Sequence, residues 1–274
     1  MNYISKIKNM FDFNHGASLL GNGDARYVDL RRRIRVAHCA GLGGMANFEN
    51  ELARRPHCKI AILEPSPIGI ETAAKLNFEP PIEFYQLGLA SRTGDVGFDG
   101  PDDPNEMSHK PGRDHLFPCV TVSDLARRRH ETRIDLLKMN IEGFEYSVLR
   151  EVLRSGFSID QICVSFHDTF QGIPTFRTIE AIIDLYLHGF RAIAKKRRAW
   201  TFTKRSDQLE NSDTVSDDRR SPRRRHGRVQ SAHPYEQNGA KSELKSFRRR
   251  PWRTFSKSDL LQKSTTTRKN EDDC

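Results

Sequence analysis

Ile34-Arg35-Val36-Ala37-His38-Cys39-Ala40-Gly41-Leu42-Gly43-Gly44 runs from a short β-type stretch straight into a glycine cluster. Met45 to Arg55 then carries a helical pattern, and Pro56 stops it, because proline has no N–H to give and clashes with the preceding turn. Strand, glycine turn and helix in that order open a βαβ unit. Side chains on such a turn would block the approach of a ligand, and the helix N-terminus offers unpaired N–H groups. Lys59-Ile60-Ala61-Ile62-Leu63 is a second strand, too apolar to be exposed on both faces. It ends at Glu64, 21 residues after Gly43, where an acid accepts hydrogen bonds from ribose hydroxyls in nucleotide-binding sheets. Gly41-x-Gly43-x-x-Ala46 also satisfies the NAD-type fingerprint, so the spacing leaves the nucleotide open. The bland alternative is a strand-to-helix reversal that merely needs glycines.

Outward from this unit, strands and helices keep alternating. Ser66-Pro67 reads as an N-cap and a proline at the first helical position, opening a helix to about Leu76. Glu83 to Leu87 is a third strand, and Ser91 to Leu116 is a long Gly-, Pro- and Asp-rich excursion near the active face. Val122 to His130 is helical, and Ile134 to Met139 is a fourth strand. Phe144, Val148, Leu149 and Val152 form the stripe of an amphipathic helix. Gln161 to Phe166 is a fifth strand, and Phe176 to Leu187 a helix closed by His188-Gly189. Phe190 to Ala194 and Ala199 to Thr203 are short strands joined by Lys195-Lys196-Arg197-Arg198. That join is too short for a crossover, so the last pair is antiparallel. The expected fold is α/β, a mostly parallel doubly wound sheet ending in an antiparallel hairpin. This is similar to the Rossmann-like class I S-adenosylmethionine-dependent methyltransferases.

Composition divides the chain. Of 274 residues 36% are hydrophobic and 30% charged, too polar for uniform packing. The net charge of +9 sits mainly in residues 205–274, with 17 Lys/Arg against 11 Asp/Glu, whereas the rest has 28 against 25. Ten large apolar side chains in that tail cannot offset backbone ordering at roughly 1–2 kcal/mol per residue. The expected organisation is an N-terminal segment 1–19, a folded domain 20–204 and a disordered basic tail 205–274. Arg219 to Arg225 and Arg248 to Arg253 form two basic clusters there, the second enclosing Trp252. They could contact nucleic acid or an acidic partner, or be simply solvated. No apolar run is long enough to span a bilayer, and Met1 to Phe13 lacks a signal-peptide core. A cytoplasmic or nuclear location is expected. Five cysteines form no CxxC pair and no zinc-type cluster, so neither a disulfide framework nor a metal site is expected.

Ile134-Asp135-Leu136-Leu137-Lys138-Met139-Asn140-Ile141-Glu142-Gly143-Phe144-Glu145 resembles the signature I-D-x-L-K-x-D-I-E-G-x-E of the FkbM-like methyltransferases, most closely their eukaryotic methyltransferase-like branch. Gly21-Asn22-Gly23-Asp24, the glycine loop with Asn47-Phe48-Glu49, Cys58 to Pro65, Leu87-Gly88-Leu89 and Gln161 to His167 resemble further family segments in the expected order. The resemblance covers about residues 20–203. It implies a Rossmann-like fold, S-adenosylmethionine as cofactor and methyl transfer, typically to oxygen. Carried over, Gly41, Gly43 and Gly44 would line the methionine and ribose side of the cofactor. Glu64 would hold the ribose, Gly88 and Leu89 would lie near the adenine, and Asn140 would face the methyl group.

Two departures bear on activity. Asn140 stands where the family pattern has Asp, and Ser165 where it has Glu. Neutral Asn is a poor base. Cys39 also occupies a first-strand position that often carries an acid. The candidate catalytic residues are Asn140, Glu142 and His167. Glu142 is a catalytic carboxylate or a helix N-terminal acid favoured by the dipole. His167 is a general base or a hydrogen-bonded structural histidine. Lys138, in an apolar strand, calls for an acid partner, and His38 reads as a satisfied core residue. The leading function is S-adenosylmethionine-dependent methyl transfer to an acceptor that the sequence does not reveal. The alternatives are a catalytically degenerate cofactor-binding or interaction module and an NAD-linked oxidoreductase.

Overall fold

The structure, a computed structural model, describes residues 11, 13, 16–76, 78–100, 109–168 and 172–205. The basic clusters and the tail beyond Arg205 lie outside the described residues. A hairpin of β1 (Ser18–Leu20) and β2 (Arg26–Val28) precedes β3 (Val36–Ala40), α1 (Asn47–Ala53), β4 (Lys59–Leu63), α2 (Pro67–Leu76) and β5 (Ile82–Tyr85). Then come β6 (Gly88–Leu89), β7 (Gly94–Asp99), β8 (Lys110–Pro111), β9 (His115–Val120) and α3 (Val122–Arg128). The chain continues through β10 (Arg133–Met139), α4 (Glu145–Ser155), β11 (Ser158–Ser165), α5 (Phe176–Leu187), β12 (Phe190–Lys196) and β13 (Ala199–Lys204).

The main sheet runs β12-β13-β11-β10-β3-β4-β5. Strands β5, β4, β3, β10 and β11 pair in parallel, and β13 pairs antiparallel with both β11 and β12. The expected terminal hairpin is therefore present, with β13 inserted between β11 and β12. Both strands run further than predicted, and the turn shrinks to Arg197-Arg198, with Arg197 at φ +55°.

Side chains alternate across each strand, and the two faces fill separately. Ala37, Cys39, Ile60, Ile62, Leu136 and Cys163 pack under Leu20, Val28, Phe48 and Leu52 of the hairpin and α1. Ala40, Ala61, Leu63, Leu137, Met139, Ile162 and Val164 pack under Leu125, Val148, Val152 and Leu185 of α3, α4 and α5. Ser66 Oγ accepts from the Gly69 N–H at 3.1 Å, the cap predicted before Pro67. His38 is buried, with Nε2 2.7 Å from Glu131 Oε2, and Arg129 Nε donates to the other oxygen of Glu131. Burial lowers the His38 pKa, against the opposing pull of Glu131.

Hydrogen bonds lock the hairpin onto the sheet. The Asp29 N–H donates to Gln161 Oε1 at 2.9 Å, and Gln161 Nε2 donates back to Asp29 O at 3.1 Å. Thr201 Oγ1 donates to Tyr27 O at 2.7 Å. Arg26 lies one residue before Tyr27 and is thus carried over the β11–β13 region.

The stretch 91–116 departs from the sequence reading. It is not an irregular excursion: β6-β9-β7-β8 form a second sheet around Val96, Phe98, Cys119 and Phe144. Asp95, Gly97 and Asp99 read as loop residues, but they occupy the alternate positions of a strand whose inward side chains are Val96 and Phe98.

Candidate active site at the carboxyl edge of the sheet

Parallel pairing brings Ala40, Leu63 and Met139 level with one another, with Val164 beside Met139. The residues that follow these strand ends therefore converge. The Gly41 N–H donates to Leu63 O at 3.0 Å, and the Asn140 N–H to Ala40 O at 3.0 Å. The Glu64 N–H donates to Tyr85 O at 3.1 Å. Ligands bind at this edge of open α/β sheets.

The glycines do different work. Gly41 sits at φ +84°, and a Cβ there would come 1.9 Å from Asn140 O. No side chain fits between β3 and β10 at this point. Gly43, at φ +61°, has nothing within 4 Å of a Cβ; it makes the turn and leaves the space beside the loop open. Gly44 is exposed at the next position. Lys138 Nζ donates to Gly41 O at 2.8 Å and pairs with Glu49 Oε1 of α1 at 3.0 Å, both side chains being well buried. The lysine thus finds the acid its apolar strand demanded, and the pair ties the loop to β10 and α1.

Glu64 is nearly buried. Its Oε2 accepts from the Leu42 N–H at 3.0 Å and its Oε1 from the Ser66 N–H at 2.9 Å. Each carboxylate oxygen has a second lone pair, so the acid can still accept from a ribose diol. Gly69 makes room for it: a Cβ there would lie 2.1 Å from Glu64 Cγ. Gly88 adjoins this end of the site, since a Cβ on it would meet Pro65 and Cys119. Leu89 is packed in the main core, so its side chain is taken up by the fold. The open loop and the anchored acid with free lone pairs fit the nucleoside and amino-acid parts of S-adenosylmethionine.

The motif after β10 is built around Glu145. Its Oε2 accepts from the Gly143 N–H at 2.8 Å, and its Oε1 accepts from the His167 N–H at 2.8 Å and lies 3.1 Å from His167 Nδ1. His167 Nε2 faces Glu142 Oε2 at 3.4 Å. Burial alone would lower the His167 pKa, but the Glu145 hydrogen bond and the two carboxylate charges outweigh it and raise the pKa. Both ring nitrogens of His167 thus face carboxylates, which hold the ring in place after β11.

Glu142 precedes α4 and takes φ +49°, a conformation costing a non-glycine residue roughly 1–2 kcal/mol. The helix N-terminal acid is Glu145, not Glu142. The role of Glu145 and the presence of Arg26 were both missed by sequence reasoning. Glu145 was visible as the last acid of the motif; Arg26 carries no sequence signal beyond its nearness to Gly21-Asn22-Gly23-Asp24.

Asn140 and Ser165, side by side at the ends of β10 and β11, both face Arg26. Its Nη2 donates to Ser165 Oγ at 3.0 Å and lies 3.5 Å from Asn140 Oδ1. Among the described residues no group of three or more His, Cys, Asp or Glu is arranged to hold a metal. No described helix is long and apolar enough to cross a membrane. Cys39, Cys58, Cys119 and Cys163 are buried free thiols, and burial pushes Cys119 up to about 12.

Residues 31–192, more than half of the chain, match the methyltransferase FkbM domain. No curated protein matches the chain. Among solved structures, the Methanococcus jannaschii fibrillarin pre-rRNA processing protein is 10% identical with a TM-score of 0.38, over 69% of this chain and 81% of its own. Aeropyrum pernix fibrillarin with natively bound S-adenosyl-L-methionine is 11% identical with a TM-score of 0.35, over 69% and 82%. The N-terminal domain of human METTL16 in complex with SAH is 10% identical with a TM-score of 0.34, over 62% and 60%. These likenesses are too distant to assign any residue. The family match itself spans the glycine loop, Glu64 and both motif-bearing strand ends, and on it the chain belongs to the FkbM methyltransferase domain family, whose methyl donor is S-adenosylmethionine.

Proposed function

We propose that the chain is an S-adenosylmethionine-dependent methyltransferase acting on an oxygen nucleophile. The observation that carries this reading is the junction of Gly41, Glu64 and Asn140 at three neighbouring strand ends. Bound there, S-adenosylmethionine supplies an electrophilic methyl group on a positive sulfonium. The Gly41–Gly44 loop would run along its methionine and ribose side. Glu64, fixed by the Leu42 and Ser66 amides, would accept from the ribose hydroxyls. Gly88 would lie toward the adenine, and Asn140 toward the methyl. Such a transfer needs alignment and exclusion of water more than acid–base help, so neutral Asn140 is compatible with turnover. Glu142 and His167 brace the turn after β10. The basic clusters of the tail would add contact with nucleic acid or an acidic partner, in a cytoplasmic or nuclear setting.

Calorimetry tests the reading. S-adenosylmethionine and S-adenosylhomocysteine should bind and NAD should not, and Gly43→Val should abolish binding by filling the space beside the loop. Unchanged affinity in Gly43→Val would remove the loop from the cofactor site. One observation favours a binding module without catalysis: neither Asn140 nor Ser165 is a carboxylate, and His167 is engaged by two. Cofactor binding with no S-adenosylhomocysteine formed on any acceptor would establish that second reading.

A further inference from the structure

We propose that Arg26 makes the acceptor side of this site a carboxylate-binding site, so that the methyl acceptor is a carboxylate and the product a methyl ester; this rests on the methyltransferase reading above. Arg26 is held over the strand ends by the hairpin. Its Nη1 donates to Asp24 O at 2.8 Å and Ala25 O at 3.1 Å, and its Nη2 to Ser165 Oγ at 3.0 Å, with Asn140 Oδ1 at 3.5 Å. Its Nε is buried without an acceptor. Every acceptor it has is neutral, and among the described residues no carboxylate pairs with it. Asp24, two residues away, gives its Oδ2 to the Phe48 N–H instead. The other basic groups of the site face carboxylates: Lys138 pairs with Glu49, and His167 lies against Glu145 and Glu142. A half-buried guanidinium with only neutral partners is an uncompensated charge, and the Nη2 hydrogen that reaches Asn140 Oδ1 only at 3.5 Å is the one an incoming carboxylate could take.

The chemistry agrees with the residues. A carboxylate oxygen attacks the methyl carbon; the new C–O bond forms as the C–S⁺ bond breaks and its electron pair returns to sulfur. The negative acceptor and the positive sulfonium become two neutral products, and no proton moves. An acceptor that is already ionised needs no base, and the two neutral residues at the strand ends supply none. A hydroxyl acceptor would have to lose a proton to a group that Asn140 and Ser165 cannot replace. Arg26 would be a specificity-determining residue that touches the acceptor.

The test uses S-adenosylmethionine labelled in the methyl group and matched acceptor pairs: octanoate and octanol, benzoate and benzyl alcohol, and a peptide with a free C-terminus and its C-terminal amide. Methyl esters release their label as volatile methanol in alkali, whereas ethers do not. In parallel, calorimetry measures binding of the same carboxylates to the protein loaded with S-adenosylhomocysteine. The expected result is carboxylate binding and alkali-labile counts from the carboxylate members only. Arg26→Gln should lower both at least tenfold with S-adenosylhomocysteine affinity unchanged, and Arg26→Lys should retain part. Asn140→Asp should also lower ester formation, because the new carboxylate would occupy Arg26; in a hydroxyl-methylating enzyme short of a base it would raise turnover. Alkali-stable counts, transfer to the alcohols, unimpaired carboxylate methylation by a folded Arg26→Gln, or neither carboxylate binding nor ester formation by a protein that binds S-adenosylhomocysteine would each overturn the proposal. Failure to bind S-adenosylhomocysteine at all would instead overturn the methyltransferase reading beneath it.

Discussion

Replacing Gly41 with alanine separates a packing requirement from a ligand requirement, because Gly43, two residues on, supplies the control. Both glycines have positive φ, at +84° and +61°, so alanine at either costs about 1–2 kcal/mol of backbone strain. The surroundings differ. At Gly41 the added carbon would stand 1.9 Å from Asn140 O, while at Gly43 it would meet nothing within 4 Å. The overlap is with backbone, so it cannot be relieved by a rotamer change. Either β10 or the loop must shift, which threatens the Gly41–Leu63, Asn140–Ala40 and Lys138–Gly41 hydrogen bonds. At a net 0.5–1.5 kcal/mol each, losing two of the three brings the total for Gly41→Ala to about 2–5 kcal/mol. Gly43→Ala should lose only the strain. Urea denaturation of both variants measures the difference, and calorimetry with S-adenosylhomocysteine should find binding lost in Gly41→Ala. Equal destabilisation of the two variants, or a Gly41→Ala protein within 1 kcal/mol of the wild type, would refute the steric argument.

Glu64→Ala should weaken S-adenosylmethionine binding by about 1.5–3 kcal/mol, the scale of hydrogen bonds to a charged group; an unchanged calorimetric affinity would remove Glu64 from the ribose. Lys138→Met leaves Glu49 buried without its cation and should cost about 3–5 kcal/mol, whereas Lys138→Met with Glu49→Leu should recover most of it; a double variant no more stable than the single in urea would contradict this. The raised pKa of His167 means that its pairing stabilises the fold fully below the unfolded value of about 6.5 and that this contribution is lost as pH rises through the folded pKa. The stability gap between wild type and His167→Gln should therefore shrink on going from about pH 5.5 to pH 8.5. Glu145→Gln should lower the His167 titration midpoint seen by NMR, and a wild-type His167 titrating below its unfolded value would oppose the assignment.

The order of elements was legible because it is written in local periodicity. Apolar runs of strand length alternate with helical stripes, and the short Lys195–Arg198 connection required an antiparallel last pair whatever it packed against. Phe176 to Leu187 matches its helix to the residue, since Pro174 before it and His188-Gly189 after it bound the pattern. The second sheet was not legible: its strands carry Gly and Asp at outward positions, and two of its partners, β6 and β8, are two residues long. Strands so short have no period of their own and exist only because β9 and β7 offer β6 and β8 a ladder.

At the site, the sequence by itself determined which residues stand at strand ends. A strand followed by glycines, and another closed by an acid, place Gly41 and Glu64 at the same edge of any parallel sheet. It also determined that Lys138 needed an acid, because an ammonium in an apolar strand cannot stay unpaired. Only the tertiary structure decided the partners: Glu49 for Lys138, Glu145 and Glu142 for His167, and Arg26 for Asn140 and Ser165. These contacts join residues far apart in the chain, and Arg26 reaches Ser165 across 139 positions. Local patterning carries no information about such pairs. The Arg26 contacts arise when the hairpin docks on the sheet through Asp29, Gln161 and Thr201, and that docking, more than any motif, sets the charge that an acceptor would meet.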